Sequence, residues 1–170
     1  SVSLWYKPLD ISRDIITYET LVGRDYNFVH CPDRTGQWAL GLYDFRKAVF
    51  GRQNSVWQSD MSDVISNTGT WHHLTATYNQ VGETIKLYKD GVLLMTKNGI
   101  SDCGFAGNSI SDIGDLFVGK GFTGILDDIF IHNRELSQVE VGQLYNLGSS
   151  CCSEDVLGIG EIYPKEGQKV

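Results

Sequence analysis

Short runs of alternating apolar and polar residues recur along most of this chain, and they constrain its fold more than any other feature. Examples are SVSLWYKP at the start, WHHLTATYN from residue 71 and TIKLYKDGVLLM from residue 84. Successive side chains of a β-strand point to opposite faces of a sheet, so each run predicts a strand. Turn-forming residues separate the runs, and Asp90 with Gly91 is a tight hairpin signal. The pattern is that of an all-β protein, a sandwich or a barrel, and we predict a two-sheet antiparallel β-sandwich.

Further alternating runs extend this interpretation: ITYETLVGR, YNFVHC, QWALGLYDF, AVFGR, DLFVGKG and TGILDDIFIHN. One segment near the C-terminus has the pattern of a helix instead. Ser137 is a helix N-cap and Glu140 follows three residues later, which is the spacing of a capping box. We predict a single long helix near residues 137–146, with Gly148 as its C-terminal stop.

Length and charge limit what the chain can be. Its 170 residues, 41% of them hydrophobic, are enough for one core and too few for two ordinary domains. We assign residues 1–150 to the sandwich and 151–170 to a tail that is either an edge strand or a linker. The formal net charge of -7 disfavours nucleic acids and anionic membrane surfaces as partners.

Apolar runs in this sequence stay well short of the roughly 20 residues that cross a bilayer, so we expect no membrane insertion. A signal-peptide pattern is also missing, because the first residues already have the alternation of a strand. We therefore expect a mature or excised fragment that adjoins further domains of a longer chain.

Four cysteines are present, Cys31, Cys103, Cys151 and Cys152, and no two of them form a CxxC pair. This spacing disfavours a zinc ribbon or a thioredoxin-like motif. Disulfides and free thiols both remain open, and three disulfide pairings are possible. Only an oxidising compartment would preserve such bonds.

Two adjacent histidines, His72 and His73, raise the possibility of a metal site or an acid–base pair. On a regular strand they point to opposite faces and cannot both bind one metal ion. We predict that they open a strand and are half-buried, as histidines in proteins often are.

The same histidines belong to a longer set of motifs. GTWHHLTATYN, then IKLYKDGVLL, then LFVGKGFTGILDDIFIHNRELSQVEVGQLYN resembles the laminin-G-like, concanavalin A-like domain superfamily. SVSLWYKP matches a strand of that family, and the resemblance runs from Ser1 to about Tyr145. The resemblance implies a jelly roll in which Trp5, Trp71 and His73 serve packing. It also implies one or two earlier strands, so we expect a sheet edge that is either uncovered or filled by another segment, such as the tail.

Catalysis is not expected from this sequence. Some relatives on this fold cleave β-glucans with closely spaced carboxylates on one strand, and no such run occurs here. The sequence also lacks a GxSxG elbow and an HExxH motif. We predict that the chain is not an enzyme.

Calcium is the cofactor to which the sequence points. In several relatives the aspartate at the position of Asp127 binds a structural calcium ion, so the resemblance implies a site there. A second possibility is the loop that contains Asp112 and Asp115, because Ca²⁺ prefers carboxylate and carbonyl oxygens. A solvated turn-rich loop is the alternative for this loop.

Aromatic residues in the least family-like part of the chain are candidates for sugar binding, because ring faces stack on sugar C–H groups. Trp57 lies in GRQNSVWQSD among amides and carboxylates that suit sugar hydroxyls. The predicted ligand-binding residues are Trp57, Trp38, Tyr43, Asn54 and Asp60.

These observations support one preferred function and two alternatives. The first is a non-catalytic glycan-binding or adhesion module of a larger extracellular, secreted or cell-surface protein. The second is a structural module that binds an extracellular protein and no small ligand. The third and weakest is a glycosidase-like enzyme.

Overall fold

The computed structural model describes residues 1–9, 19–24, 38–43, 47–52, 55–58, 68–79, 81–82, 84–98 and 115–151. Within these ranges the chain forms ten strands followed by a helix. In chain order they are β1 (Val2–Pro8), β2 (Glu19–Arg24), β3 (Trp38–Tyr43), β4 (Lys47–Arg52), β5 (Ser55–Gln58), β6 (His72–Asn79), β7 (Thr84–Lys89), β8 (Val92–Asn98), β9 (Leu116–Lys120), β10 (Gly124–Ile131) and α1 (Gln138–Cys151).

The strands make two five-stranded antiparallel sheets. Sheet A has the order β10-β1-β6-β7-β8, and sheet B has the order β5-β4-β3-β2-β9. A single buried apolar cluster takes residues from both sheets, among them Leu4 and Leu74 of sheet A and Leu21 and Leu40 of sheet B. The predicted β-sandwich is confirmed, and the hydrophobic effect of this shared core holds the sheets together.

Strand β5 was not predicted from the sequence. Its four residues, SVWQ, are too few to show a clear alternation, and the surrounding polar residues have the composition of a loop. The strand nevertheless pairs with β4 from Val49 to Arg52 and forms one edge of sheet B. The predicted strand YNFVHC, by contrast, lies outside the described residues.

The hairpin predicted at Asp90 and Gly91 connects β7 to β8. Both residues have positive φ angles, 51° and 76°, as a two-residue type I′ turn requires. A Cβ atom at Gly91 would lie 3.1 Å from the ring of Tyr145, so the absence of a side chain also lets α1 approach the turn.

The predicted capping box at the start of α1 is confirmed. The Glu140 carboxylate accepts a hydrogen bond from the backbone N–H of Ser137 at 2.8 Å, and the Ser137 hydroxyl accepts one from the N–H of Glu140 at 3.3 Å. The predicted C-terminus was wrong, because α1 continues through Gly148 to Cys151.

Gly148 has a packing role in place of the predicted stop. A Cβ atom there would come within 2.0 Å of the indole nitrogen of Trp5. Trp5 in turn stacks on Tyr145 with ring centroids 5.7 Å apart. The glycine therefore lets α1 lie directly on the outer face of sheet A, opposite the face that carries the shared core.

One edge of each sheet exposes apolar side chains. Ile125, Phe130 and Ile131 of β10 are about half exposed, as are Leu116 and Val118 of β9. Both strands are sheet edges within the described part of the chain. The proposal that the tail fills such an edge concerns residues beyond 151, which the structure does not describe.

A bulge interrupts the β10 edge. Ser3 pairs with Phe130 and Trp5 pairs with Asp127, so Asp128 and Ile129 together lie opposite Leu4. Asp128 takes a left-handed φ of 47° at this point. A bulge of this kind breaks the row of edge hydrogen-bonding groups and limits pairing with another strand.

Candidate functional site

His72 and His73 occupy the two faces of sheet A, as strand alternation predicts. The His72 ring lies 5.6 Å from the ring of Tyr6 on the core side. The His73 ring lies 5.2 Å from Trp5 and 6.1 Å from Tyr145 beneath α1. Both histidines are buried rather than half-buried, with exposures of 8% and 2%. Their surroundings are those of packing residues.

Asp90 ties both histidines to the β7–β8 hairpin. One carboxylate oxygen accepts the backbone N–H of His73 at 2.8 Å, and the other contacts Nδ1 of His72 at 2.9 Å. Burial opposes ionisation of Asp90, but the hydrogen bonds from His72 and His73 outweigh it, so the pKa of Asp90 is lowered. The WHH motif and the distant Asp90–Gly91 dipeptide therefore form a structural unit that binds the β7–β8 turn to strand β6.

Burial lowers the pKa of His73 to about 4, although the nearby Asp90 carboxylate acts in the opposite direction. His73 is thus neutral at pH 7. Its Nδ1 atom is buried and has no hydrogen-bond partner. A neutral, enclosed imidazole without a polar partner suits packing against Trp5 better than proton transfer to a ligand.

The structure separates two of the predicted sugar-binding aromatics. Trp38 and Tyr43 lie at opposite ends of β3, both partly buried against the shared core. Five residues of strand place their backbones roughly 16 Å apart, too far to contact one sugar ring. Trp57 lies in edge strand β5 opposite Phe50, nearer to the Trp38 end of the sheet.

The remaining predicted site residues are scattered. Asn54, Asp60 and Asp112 lie outside the described residues. Asp115 is exposed just before β9, and Asp127 is exposed in β10. The Asp127 carboxylate lies in solvent because β10 is an edge strand within the described residues. Its Oδ1 accepts the backbone N–H of Asp128 at 2.8 Å.

Metal-ligating side chains do not cluster in the part of the chain that the structure describes, since no three His, Cys, Asp or Glu residues come together there. The calcium prediction consequently stays a prediction. The calcium site predicted in the loop of Asp112 and Asp115 depends on residues around Asp112 that fall outside the described ranges.

A cleft of about 390 Å³ opens at the end of sheet A where β6 and β10 end and β1 begins. We refer to it as the end cleft. Its lining comprises Ser1, Tyr78, Asn79 and residues 132–135. Ser1 links the start of β1 to the segment that follows β10. Its hydroxyl donates a hydrogen bond to the carbonyl of Arg134 at 2.8 Å and accepts one from the N–H of Leu136 at 2.9 Å.

Hydrogen bonds fix the polar groups around the end cleft. Glu135 accepts hydrogen bonds from Nζ of Lys86 at 3.1 Å and from Nδ2 of Asn79 at 2.7 Å. The other amide atom of Asn79 accepts the N–H of Gly82 at 2.9 Å, which closes the turn before β7. Asn133 also lines the cleft and is exposed. The result is a preformed surface of amide and carboxylate groups.

The charged side chains bordering the end cleft are paired. The Arg134 guanidinium makes two hydrogen bonds to the Glu140 carboxylate, at 3.0 and 2.5 Å. These bonds, with those from Ser137, lower the pKa of Glu140 to about 2. Burial lowers the pKa of His132, with the N-terminal amine and Arg134 acting in the same direction.

This arrangement is poorly suited to glycoside hydrolysis. A glycosidase needs a carboxylic acid whose pKa is raised so that it can protonate the leaving group. Glu140 is held ionised instead, and Glu135 is bound to Lys86 and Asn79. Among the described residues, the carboxylates at the cleft are thus held by hydrogen bonds and ion pairs.

Sequence reasoning missed the end cleft. NRELS was recognised only as part of the family-like motif, and Asn79 only as the end of a strand. The cleft forms because β6 and β10 each end beside the start of β1, which follows from sheet order rather than from local sequence. Two polar residues, Asn133 and Arg134, directly after an apolar strand were the available signal.

Fold and site together define a β-sandwich with a polar cleft at one end of a sheet. A family model described as the concanavalin A-like lectin/glucanases superfamily matches residues 1–142. The chain belongs to this superfamily. A comparison with curated proteins finds no match.

Solved structures with the same fold include binding domains and an enzyme. The CBM40 of a Ruminococcus gnavus IT-sialidase, bound to α2,3 sialyllactose, has a TM-score of 0.59 at 13% identity, over 85% of this chain and 80% of that one. The botulinum neurotoxin serotype D binding domain has a TM-score of 0.57 at 17% identity, over 86% and 35%. A leech intramolecular trans-sialidase, complexed with 2,7-anhydro-Neu5Ac, has a TM-score of 0.57 at 15% identity, over 84% and 22%.

The present chain spans little more than a third of the toxin binding domains that it matches. Helix α1, with 14 residues, does not have the length and apolar character needed to cross a membrane, and no other described helix does.

Proposed function

We propose that this domain is a non-catalytic carbohydrate-binding module of a larger extracellular protein. The observation that carries the proposal is the end cleft, a preformed polar surface on a concanavalin A-like sandwich whose carboxylates are engaged by cations and amides. Membership of a superfamily of lectins and glucanases supports a sugar as the ligand. The carbohydrate-binding module among its structural neighbours supports the same choice.

The absence of catalysis is part of the same proposal. The structural neighbours include an enzyme as well as binding domains, so the fold alone does not show whether a domain catalyses a reaction or only binds a ligand. The low pKa of Glu140 and the packing role of both histidines favour binding over hydrolysis. Incubation with oligosaccharides, followed by chromatography of the products, tests this: we expect the sugars to be recovered intact.

We also propose that Trp57, Trp38, Asn54 and Asp60 contribute to sugar binding. Trp57 in β5 and Trp38 in β3 belong to the same sheet, with β4 between them. Tyr43, at the other end of β3, lies too far from Trp38 to contact the same sugar ring. Trp57→Ala tests this contact, with Tyr43→Ala as the comparison.

Calcium is proposed as a cofactor bound through Asp127 or through the loop of Asp112 and Asp115. The exposure of Asp127 and Asp115 leaves both carboxylates accessible to a solvated ion. A ligand that binds only the native state raises the melting temperature by mass action. Melting in calcium and in EDTA tests the proposal, with Asp127→Asn to locate the site.

The apolar side chains exposed at two sheet edges, β9 in sheet B and β10 in sheet A, favour a second function, binding of an extracellular protein. Side chains such as Phe130 and Leu116 are costly to leave in water and commonly mark interaction surfaces. This alternative predicts capture of a protein partner by a domain that binds no glycan.

A further inference from the structure

The end cleft has the size and the chemistry of a small-molecule site. Its volume of about 390 Å³ lies within the usual range for ligand pockets. Tyr78 supplies a partly buried aromatic ring, and Asn79 and Asn133 supply amides. An amide offers both donors and acceptors, which matches sugar hydroxyls that donate and accept at once.

The side-chain charges around this cleft cancel in pairs. Arg134 is held by Glu140, and Lys86 is held by Glu135. Apart from the Ser1 amine, which already donates to the carbonyls of His132 and Arg134, an anionic ligand would have to displace one of these carboxylates to gain a cation of its own. The net charge of -7 on the whole chain adds long-range repulsion of anions.

His132 adds to this discrimination against anionic ligands. Its Nε2 atom is buried and has no hydrogen-bond partner, and its pKa is lowered mainly by burial. A neutral imidazole in the wall of the cleft adds no positive charge to attract a carboxylate. The side chains of the wall are therefore polar and together close to electrically neutral at pH 7, and the Ser1 amine is held by the carbonyls of His132 and Arg134.

We propose that the end cleft is a subsite for one uncharged sugar residue and discriminates against acidic sugars such as sialic acid. This inference rests on the proposed carbohydrate-binding function and assigns it a place and a ligand class. Glu135 and Asn79 accept and donate to ring hydroxyls, Asn133 contacts a further hydroxyl, and Tyr78 covers an apolar C–H face.

Nuclear magnetic resonance titration of the ¹⁵N-labelled domain tests the proposal. The probes are methyl glycosides of glucose, galactose, mannose and N-acetylglucosamine, against N-acetylneuraminic acid and glucuronic acid. We expect at least one neutral glycoside to shift the amide signals of residues 79 and 133–135 in the millimolar range. Binding of a neutral ligand changes little with salt concentration.

Two variants with matched chemistry locate the site. Asn133→Ala removes an exposed cleft amide whose side chain makes no hydrogen bond to another described residue, so we expect folding to be retained. Gln143→Ala removes an exposed amide on α1, away from the cleft. We expect roughly fivefold weaker binding for Asn133→Ala, from the loss of a neutral hydrogen bond, and unchanged binding for Gln143→Ala.

Three outcomes overturn the proposal. Equal or tighter binding of the acidic sugars at the same amides contradicts the ligand class. Equal affinities of the two variants, or shifts confined to sheet B, contradict the site while the carbohydrate-binding function stands. If no sugar shifts any amide and a glycan array is also negative, the function and the subsite both fail.

Discussion

Asp90 and His73 exchange two hydrogen bonds across the start of strand β6. The Asp90 carboxylate accepts the backbone N–H of His73, and the Asp90 N–H donates to the His73 carbonyl, each at 2.8 Å. The pair fastens the β7–β8 hairpin to sheet A at the point where α1 covers it. Residues that could be mistaken for an active site therefore hold the fold together, which leaves ligand binding to other surfaces.

Replacing Asp90 tests this role. Asp90→Ala removes both carboxylate contacts and leaves a residue with a Cβ atom at a φ of 51°, so we expect a loss of about 2–4 kcal/mol in the free energy of unfolding. Asp90→Asn keeps one acceptor and tolerates the left-handed conformation, so its loss is smaller. Urea denaturation measures both. Equal stability of Asp90→Ala and the wild type would refute the structural role.

The two glycines of helix α1 allow a matched comparison. In Gly148→Ala the new Cβ atom meets the Trp5 indole, and we expect a loss of about 1–3 kcal/mol from overpacking. In Gly142→Ala the new Cβ atom meets nothing within 4 Å, and we expect a gain of up to about 1 kcal/mol from helix propensity. Thermal melts of both variants show whether each substitution lowers or raises stability. Stabilisation by Gly148→Ala would show that α1 does not pack on Trp5 as described.

Stability depends on pH through His73. The unfolded chain protonates this histidine near its ordinary pKa of 6.5, whereas the folded protein does so only near 4. The unfolded state binds more protons between these values, so stability falls as the pH drops from 6.5 to 4, by on the order of 3 kcal/mol. Denaturation curves across this range measure the slope.

His73→Phe is the control for that slope. Phenylalanine keeps the ring contact with Trp5 and does not titrate, so most of the pH dependence between 4 and 6.5 should disappear. A smaller dependence of the same sign remains, because the pKa of His132 is also lowered. If His73→Phe kept the full pH dependence of stability, groups other than His73 would be its cause.

Trp5 and Trp71 should differ in importance although the family resemblance assigns packing to both. Trp5 is 5% exposed between His73 and Tyr145, whereas Trp71 is half-buried just before β6. We expect Trp5→Ala to cost roughly 3–5 kcal/mol and Trp71→Ala clearly less. The melting temperatures of the two variants test this expectation. A larger loss of stability in Trp71→Ala than in Trp5→Ala would contradict the packing described here.

Sequence alone predicts those parts of the fold that local periodicity determines. Alternation placed His72 and His73 on opposite faces, the Asp90–Gly91 dipeptide marked its turn, and Ser137 with Glu140 marked the start of α1. The end of α1 could not be predicted, because Gly148 has the local signature of a helix stop. Its actual role depends on Trp5, which lies at the other end of the sequence.

The candidate site was harder to predict for the same reason. The end cleft brings together Asn79, Asn133 and Ser1, which are distant in sequence and meet only through the order of strands in sheet A. Aromatic residues are conspicuous in a sequence, so Trp38 and Tyr43 drew attention, yet β3 holds them at opposite ends. Polar cleft residues carry no comparable local signal.

The central claim is that this domain binds carbohydrate without cleaving it, and a glycan array probed with the folded wild-type domain tests it most directly. We predict binding to glycans with neutral terminal sugars at micromolar to millimolar affinity, with every arrayed glycan left intact, since exchange of water for protein at sugar hydroxyls gains little free energy. A folded domain that binds no glycan on the array, or that releases sugars from it, would contradict the account.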